Sequence, residues 1–448
     1  MMDTLHATCE FGKAHPWGEH PTETGMARLS LDDNDKKVRE WLIRETKALG
    51  CRVTVDQMGN IFAVRPPGGT HAAPTATAPP PVMMGSHLDT QPTGGRYDGI
   101  LGVMAALEVL RTLNEHKVET RGPVGLVNWT NEEGARFPMI TVASGVWAGT
   151  IPLETAWNLA EVTADSKAST TATKTTMKRE LERIEFLGDT PASHTAQPMA
   201  AHFELHIEQG PVLEDTGRKV GVVTGAQAHS WFRVAVAGSD SHAGTTPLAL
   251  RQDAMLAACK MVVAANAVAK KHGGLITTGI LAGLPGSVNT IPHTVMFTLD
   301  VRHVRDQVAA EMVADCQRQF EEIAREDSER GVKVSWTTLT ENAAVVFHPD
   351  CVRAVEEAVE EVCSALAAES GSVPDREDGR PWQHMTSGAG HDSCNTSKVC
   401  PTAMIFAPTR KGRSHTPDEY CPPEDCVTGA QVLLGAVLRY DASRKDVS

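Results

Sequence analysis

The sequence predicts an α/β protein in which a discontinuous domain, residues 1–225 and 341–448, carries a central mixed sheet flanked by helices. A smaller ferredoxin-like α+β domain over residues 226–340 interrupts it. Three observations support this reading. Strand and helix patterns alternate through the N-terminal part, a β-α-β-β-α-β order follows from Ala228 to about Thr340, and the first pattern returns after Asp350.

Taken in order, Asp33 to Leu49 has helical spacing, and Cys51 to Val64 reads as strand, glycine turn, strand. Pro66 to Pro81, rich in Pro, Gly, Ala and Thr, reads as a flexible loop. Val82 to Ser86 is a short apolar strand, Ile100 to Leu113 a helix with Ile100, Val103, Met104, Leu107 and Leu110 on one face, and Pro123 to Trp129 a buried strand. Ala164 to Met177, poor in large apolar residues, reads as a surface insertion ahead of the strand Ala201 to Ile207. The interrupting domain then runs strand (Trp231 to Val236), helix (Pro247 to Lys271), strand (Leu275 to Leu284), strand (Val295 to Val301), helix (Arg305 to Glu329) and strand (Val332 to Thr337). A helix from Asp350 to Ala368 and a strand from Ala403 to Phe406 rejoin the first domain.

With 448 residues and 41% hydrophobic content, the chain has ample material for two or three ordinary cores. A formal net charge of -14 leaves no basic stripe to follow phosphates, which argues against nucleic acid and against an anionic membrane surface as partners. Neither a signal peptide nor a membrane span is expected, since no apolar h-region or long apolar run occurs. Ten cysteines are sparse for this length, and the Cys394/Cys400 and Cys421/Cys426 spacings are too wide for a zinc-thiolate knuckle. They read as buried inert thiols of a cytoplasmic protein.

The chemistry concentrates at strand ends. In Met84-Gly85-Ser86-His87-Leu88-Asp89 the strand period puts His87 and Asp89 on one side, where Asp89 can steady the imidazole as carboxylates do behind metal-bound histidines. Asp98, just before the helix at Ile100, reads either as an N-cap or as a carboxylate returned by the Gly94–Gly99 turn toward the His87 strand. Glu132 and Glu133 follow the strand ending at Trp129, on the side where open α/β sheets hold ligands. Adjacent like charges there call for a cation, with one carboxylate to ligate it and the other to take a proton from water. On the strand Ala201 to Ile207, Glu204, His206 and Glu208 share one face, either solvent-facing or contributing His206 as a ligand. His415 precedes Thr416, Pro417 and Glu419, which read as N-cap, N1 and capping-box residues of a helix start.

Jointly, the runs GSHLDT, GGRYDGILGV, NEEGARF, HFELHIEQGPVLE, GSDSHAGTTP, PGSVNTIPH, DVRH, SGAGHDS and RSHTPDE resemble the dinuclear-metal amidohydrolases that act on N-carbamoyl amino acids. That group includes yeast-type β-ureidopropionase (β-alanine synthase), bacterial N-carbamoyl-L-amino acid hydrolases and allantoate amidohydrolases, relatives of the aminoacylases and carboxypeptidases. The resemblance spans about Glu23 to Tyr420. It implies two divalent ions per subunit, zinc foremost with manganese, cobalt or nickel as alternatives. Asp98 would bridge them, His87 and His206 would bind one or the other, and Glu133 and His415 would complete the pair. Catalysis would fall to Glu132 as general base, with Asp89 behind His87 and His242 stabilising the oxyanion.

The resemblance further implies that Gln209, His242, Asn289, Arg302 and the backbone near Gly390 handle a small substrate bearing a carboxylate, which Arg302 can grip bidentately. It makes the interrupting domain a dimerisation and lid domain of a homodimer. The expected reaction is hydrolysis of an N-carbamoyl amino acid to the amino acid, carbon dioxide and ammonia, and the local run Gly188 to Ser193 favours a β-alanine product. An allantoate or N-acyl amino acid hydrolase is the alternative. A non-catalytic metal-binding scaffold is a further one, which the intact Glu132 and Glu133 disfavour.

Overall fold

A computed structural model describes residues 1–67, 79–162, 174–326, 330–370 and 380–444. Most of the loop expected over Pro66 to Pro81 and of the insertion expected over Ala164 to Met177 lies outside these residues, as does the end of the helix expected to reach Glu329. The main elements begin with α1 (Asp33–Ala48), β1 (Arg52–Val55), β2 (Ile61–Arg65), β3 (Val82–His87), α2 (Ile100–Glu115), β4 (Val124–Trp129), β5 (Ala201–Ile207) and β6 (Val220–Ala226). There follow β7 (Ala228–Ala237), α3 (Ala254–His272), β8 (Leu275–Thr277), β9 (Leu281–Leu284), β10 (Thr294–His303), α4 (Asp306–Glu326) and β11 (Lys333–Asn342). The last are α5 (Pro349–Ser370), β12 (Trp382–Ser387), β13 (Thr402–Ala407) and α6 (Pro423–Ser443). Two compact units result: Met1–Thr224 with Val346–Ser448, and Gly225–Val345.

In the first unit a mixed sheet runs β6-β13-β5-β3-β4-β2-β1, with β12 also paired to β6. The four central strands are parallel, and β6, β2 and β1 join antiparallel. Each residue of β3, β4, β5 and β13 is buried, as expected of parallel strands covered on both faces. The polar side of β5 therefore faces the interior rather than solvent. From β3 the chain crosses to β4 on one side, whereas from β5 it leads to β13 on the other, so β3 and β5 flank a point where strand order reverses. Ligands of open α/β sheets bind beyond the carboxyl ends at such a point.

Helix α2 is more than a one-faced helix. Leu101, Ala105, Ala106 and Val109 are buried along with the predicted stripe, because α2 lies between the sheet and α6. Burying a Leu, Ile, Val or Met contributes roughly 1.5–3 kcal/mol, so packing holds the helix start, and the turn before it, against the end of β3. Gly99 sits in that turn with φ of 67°, and a Cβ there would lie 2.3 Å from His87 ring atoms. Only glycine meets both demands.

The second unit holds an antiparallel sheet in the order β8-β10-β7-β11, with β9 also on β10. Alternate residues of β7 and β10 pack with Met261, Val268, Met312 and Phe320 of α3 and α4. The helix expected from Pro247 starts instead at Ala254, because Asp253 accepts the N–H groups of Met255 and Leu256 and sets the cap there; Leu248–Leu250 is a separate 3-10 turn. The single strand expected over Leu275 to Leu284 is divided into β8 and β9. No helix begins at Thr416, whose segment is a turn, and α6 starts at Pro423.

Candidate metal centre

His87 closes β3, and Asp98 returns beside it through the Gly94–Gly99 turn, with its Oδ1 3.5 Å from His87 Nε2 and 3.1 Å from His206 Nε2 on β5. Its other oxygen, Oδ2, lies 3.3 Å from His415 Nε2, which is 3.4 Å from Glu133 Oε2. Two sets of possible ligands thus share one carboxylate: His87, Asp98 and His206, and Asp98, Glu133 and His415. Glu132 stands alongside, 3.5 Å from His87 Nε2. All of these residues are buried except His415, whose side chain is half exposed.

Hydrogen bonds orient the rings. His87 Nδ1 lies 2.9 Å from the Asp89 carbonyl and His206 Nδ1 2.8 Å from the Ile207 carbonyl, so each Nδ1 donates and each Nε2 faces Asp98, that of His206 also accepting the Gly99 N–H at 3.3 Å. His87 Nε2 is buried without a hydrogen-bond partner. Lone pairs of imidazoles and carboxylates that face one another need a proton or a cation between them, and nitrogen with hard oxygen donors suits a divalent transition ion. The donors present therefore fit a metal pair. A third set, Glu204, His206 and His391, also converges. There the Glu204 oxygens already accept hydrogen bonds from Ser86, the Ser393 hydroxyl and the Ser393 N–H.

The charges respond to this crowding. Burial opposes charge on His87, yet Glu132, Asp98 and Asp89 outweigh it and raise its pKa well above the usual value. For Asp98 burial is likewise overcome, by His206, His415 and His87, and its pKa falls well below the ordinary range. Burial, then Asp98, pushes Glu133 up to about 7, and burial raises Glu132 well above its usual value. His415 rises to about 9, chiefly through its contact with Asp98. Protons thus compete with cations for these atoms, and raising the pH should tighten metal binding. Between pH 6 and 8, calorimetric titration of metal-free protein with Mn²⁺ should show affinity rising by roughly tenfold per pH unit for each proton shed. An affinity that stayed flat would remove the imidazoles from the ligand set.

Asp89 differs from expectation. Its backbone carbonyl, not its carboxylate, holds His87; the carboxylate is 3.9 Å from Nδ1 and accepts the N–H groups of Glu132 and Glu133 at 3.3 Å. The strand ends at His87, so the two-residue period cannot be extended to Asp89. Gln209 has φ of 59°, and its Nε2 donates to Asp98 Oδ2 at 2.6 Å, inside the ligand cluster. Gly390 lies in the first unit, where a Cβ would meet only Ile140 within 4 Å.

His242, Asn289 and Arg302 belong to the second unit. His242 pairs with Thr290 in a two-residue ladder, and the Asn289 carbonyl accepts from the Ala243 N–H, so the first two are neighbours. The exposed His242 accepts from the Gly244 and Thr245 N–H groups. Arg302 grips a carboxylate through Nε and a terminal nitrogen, and that carboxylate is Asp300 on the same strand.

At the centre the sequence reading missed Gln91 and Ser414 and gave Glu419 another role. Gln91 donates to Glu133 Oε2 at 2.8 Å. Ser414 lies 2.9 Å from Asp98 Oδ2, and Glu419 accepts the N–H groups of Tyr97 and Asp98, both at 3.0 Å. The capping-box role expected of Glu419 is thereby excluded, since its carboxylate is spent on the Asp98 turn. The paired glycines at 94 and 95 were the available signal that something packs tightly there.

The chain is similar along most of its length to several hydrolases. It is 36% identical to the N-carbamoyl-L-amino-acid amidohydrolase of Rhizobium meliloti over 92% of this chain and 91% of that protein. A ureidoglycolate hydrolase of Oryza sativa subsp. japonica is 30% identical over 92% of this chain and 80% of that one. Among solved structures, an amidase of the hydantoinase/carbamoylase family from Burkholderia multivorans superposes with a TM-score of 0.82 at 40% identity, covering 99% of this chain and 98% of that one. The model of peptidase family M20/M25/M40 matches residues 83–439, which hold every residue of the three clusters of possible ligands. The chain belongs to that family of hydrolases.

Proposed function

We propose that this protein hydrolyses the ureido C–N bond of N-carbamoyl-L-α-amino acids in a metal-dependent reaction, releasing the amino acid, carbon dioxide and ammonia. The observation that carries this reading is the pair of ligand sets hinged on Asp98, with Glu132 beside them and in neither set. His87, Asp98 and His206 would hold one divalent ion, and Asp98, Glu133 and His415 the other, as zinc or as manganese, cobalt or nickel. Such a pair, when bound, supplies Lewis acidity that lowers the pKa of water and polarises a carbonyl.

Glu132 takes the proton of the water that adds to the carbamoyl carbon and returns it to the amino acid nitrogen as the C–N bond breaks. The carbamic acid released divides into carbon dioxide and ammonia. Gln209 and the Gly390 backbone would contact the carbamoyl end. His242 is proposed to stabilise the developing oxyanion, and Arg302 with Asn289 to bind the substrate carboxylate. Arg302 already holds a carboxylate in the required bidentate manner. The relative from Rhizobium meliloti bears an L-amino acid name, which supports N-carbamoyl-L-α-amino acids over the β-alanine product favoured by residues 188–193.

The interrupting unit is proposed as the dimerisation and lid domain of a homodimer. Leu275, Leu281 and Leu284 are exposed on its strands β8 and β9, Ile280 between them, and Leu256 and Val263 on α3. An apolar open edge of this kind favours pairing with another chain. Among the described residues no helix is long and apolar enough to cross a membrane. Ten free thiols support placement in the cytoplasm.

The test is ammonia release by chelator-stripped protein with each metal restored in turn, offered N-carbamoyl-L-methionine, N-carbamoyl-β-alanine and allantoate. Metal-dependent release from the first substrate supports the proposal. Release from allantoate alone would favour the second reading, a ureide hydrolase, to which the rice relative points. No release with any metal would reject both.

A further inference from the structure

The turn that presents Asp98 and the turn that presents His415 are far apart in sequence, and one buried side chain joins them. Glu419 Oε1 accepts the backbone N–H groups of both Tyr97 and Asp98 at 3.0 Å, while its Oε2 lies 2.8 Å from the Ser414 hydroxyl. Ser414, next to His415, lies in turn 2.9 Å from Asp98 Oδ2. A closed loop of contacts thus runs from the Asp98 backbone through Glu419 and Ser414 to the Asp98 carboxylate. Gly95 completes it: a Cβ at that position would sit 2.3 Å from Glu419 Cβ and Oε1.

We infer that Glu419 is a positioning residue for the metal pair, a clamp that holds Asp98 and His415 at the separation the second ion requires. The inference rests on the proposed reading of the two ligand sets as metal sites. Among the described residues Glu419 alone accepts the Asp98 backbone N–H, and Ser414 has one proton for two carboxylates, so the loop closes through position rather than through charge alone. The sets differ in dependence. His87 and His206 are carried by β3 and β5, whereas His415 sits in an irregular turn with φ of 57° and needs the clamp. Residues that orient ligands from behind typically affect metal affinity by 10- to 100-fold.

The experiment is titration of the full-length, chelator-stripped protein with Mn²⁺, followed by calorimetry and by electron paramagnetic resonance. Wild type should take up two ions and show a spin-coupled pair. Glu419→Ala should retain one ion, weaken the second at least tenfold, and show an isolated Mn²⁺ signal. Glu419→Gln should hold both ions, because its oxygen can accept the two N–H groups and its amide can donate to Ser414. Gly95→Ala, which displaces the carboxylate without altering it, should behave as Glu419→Ala, and it decides the matter if Glu419→Ala does not fold.

Two ions bound with wild-type affinity in both Glu419→Ala and Gly95→Ala would overturn the clamp while leaving the metal centre intact. Loss of the second ion in Glu419→Gln as well would overturn a positional role in favour of charge. Wild type taking up no ion would overturn the metal reading itself, and this inference with it.

Discussion

Glu132→Gln should lower turnover by roughly 10² or more, the usual scale for losing a general acid–base group, while two metal ions per chain remain bound. The separation follows from geometry. Glu132 belongs to neither ligand set, although its Oε2 lies 3.5 Å from His87 Nε2. An amide in its place keeps the volume of this buried side chain but cannot take a proton from water. In a metal-restored assay with saturating N-carbamoyl-L-methionine the loss should appear in kcat rather than KM, as the proposed role of Glu132 on the reacting atoms requires. Turnover close to wild type would remove Glu132 from the mechanism.

Asp98→Asn should have the larger effect on the metal, because Asp98 alone contributes an oxygen to both sets. Metal content is expected to fall from two ions per chain to less than one, and activity to fall below detection. In the metal-free protein the imidazoles should change as well. The contact with Asp98 is the first cause of the rise of His415 to about 9, so the substitution should bring that value down toward 6.5. The sign can be checked by stability. A histidine raised in the folded state stabilises fully below its unfolded pKa, and that contribution disappears as pH climbs through about 9. Metal-free wild type should therefore lose stability between pH 6.5 and 9, and Asp98→Asn should lose less. Retention of both ions in the variant, measured by elemental analysis, would show that Asp98 bridges nothing.

Part of the candidate ligand cluster was legible because some of its residues lie at or just past the carboxyl end of a buried apolar strand. His87, Glu133 and His206 could be placed from such runs, and Asp98 from the glycine-rich turn that returns to the first. His415 was noticed for another reason, its seat before an apparent helix start, and that helix does not exist. The pattern Thr416-Pro417-Asp418-Glu419 has capping-box spacing, but Glu419 finds better partners in the N–H groups of Tyr97 and Asp98. Local patterns compete with distant ones, and only the folded chain shows which prevails. Asp89 teaches the same lesson at shorter range, since the strand stops at His87 and its period with it.

By itself the sequence determined the layered α/β character, most strands and helices of both units, and the residue types needed for a metal-dependent hydrolase. Hydrophobic periodicity is a local property of covalent order, and each strand or helix records it. Tertiary structure alone decided which oxygen of Asp98 faces which histidines, that β5 has no solvent side, and that Gln91, Ser414 and Glu419 contact Asp98, its turn or Glu133. Those facts depend on segments hundreds of residues apart meeting at the ends of parallel strands, where hydrogen bonds that no spacing encodes fix each side chain.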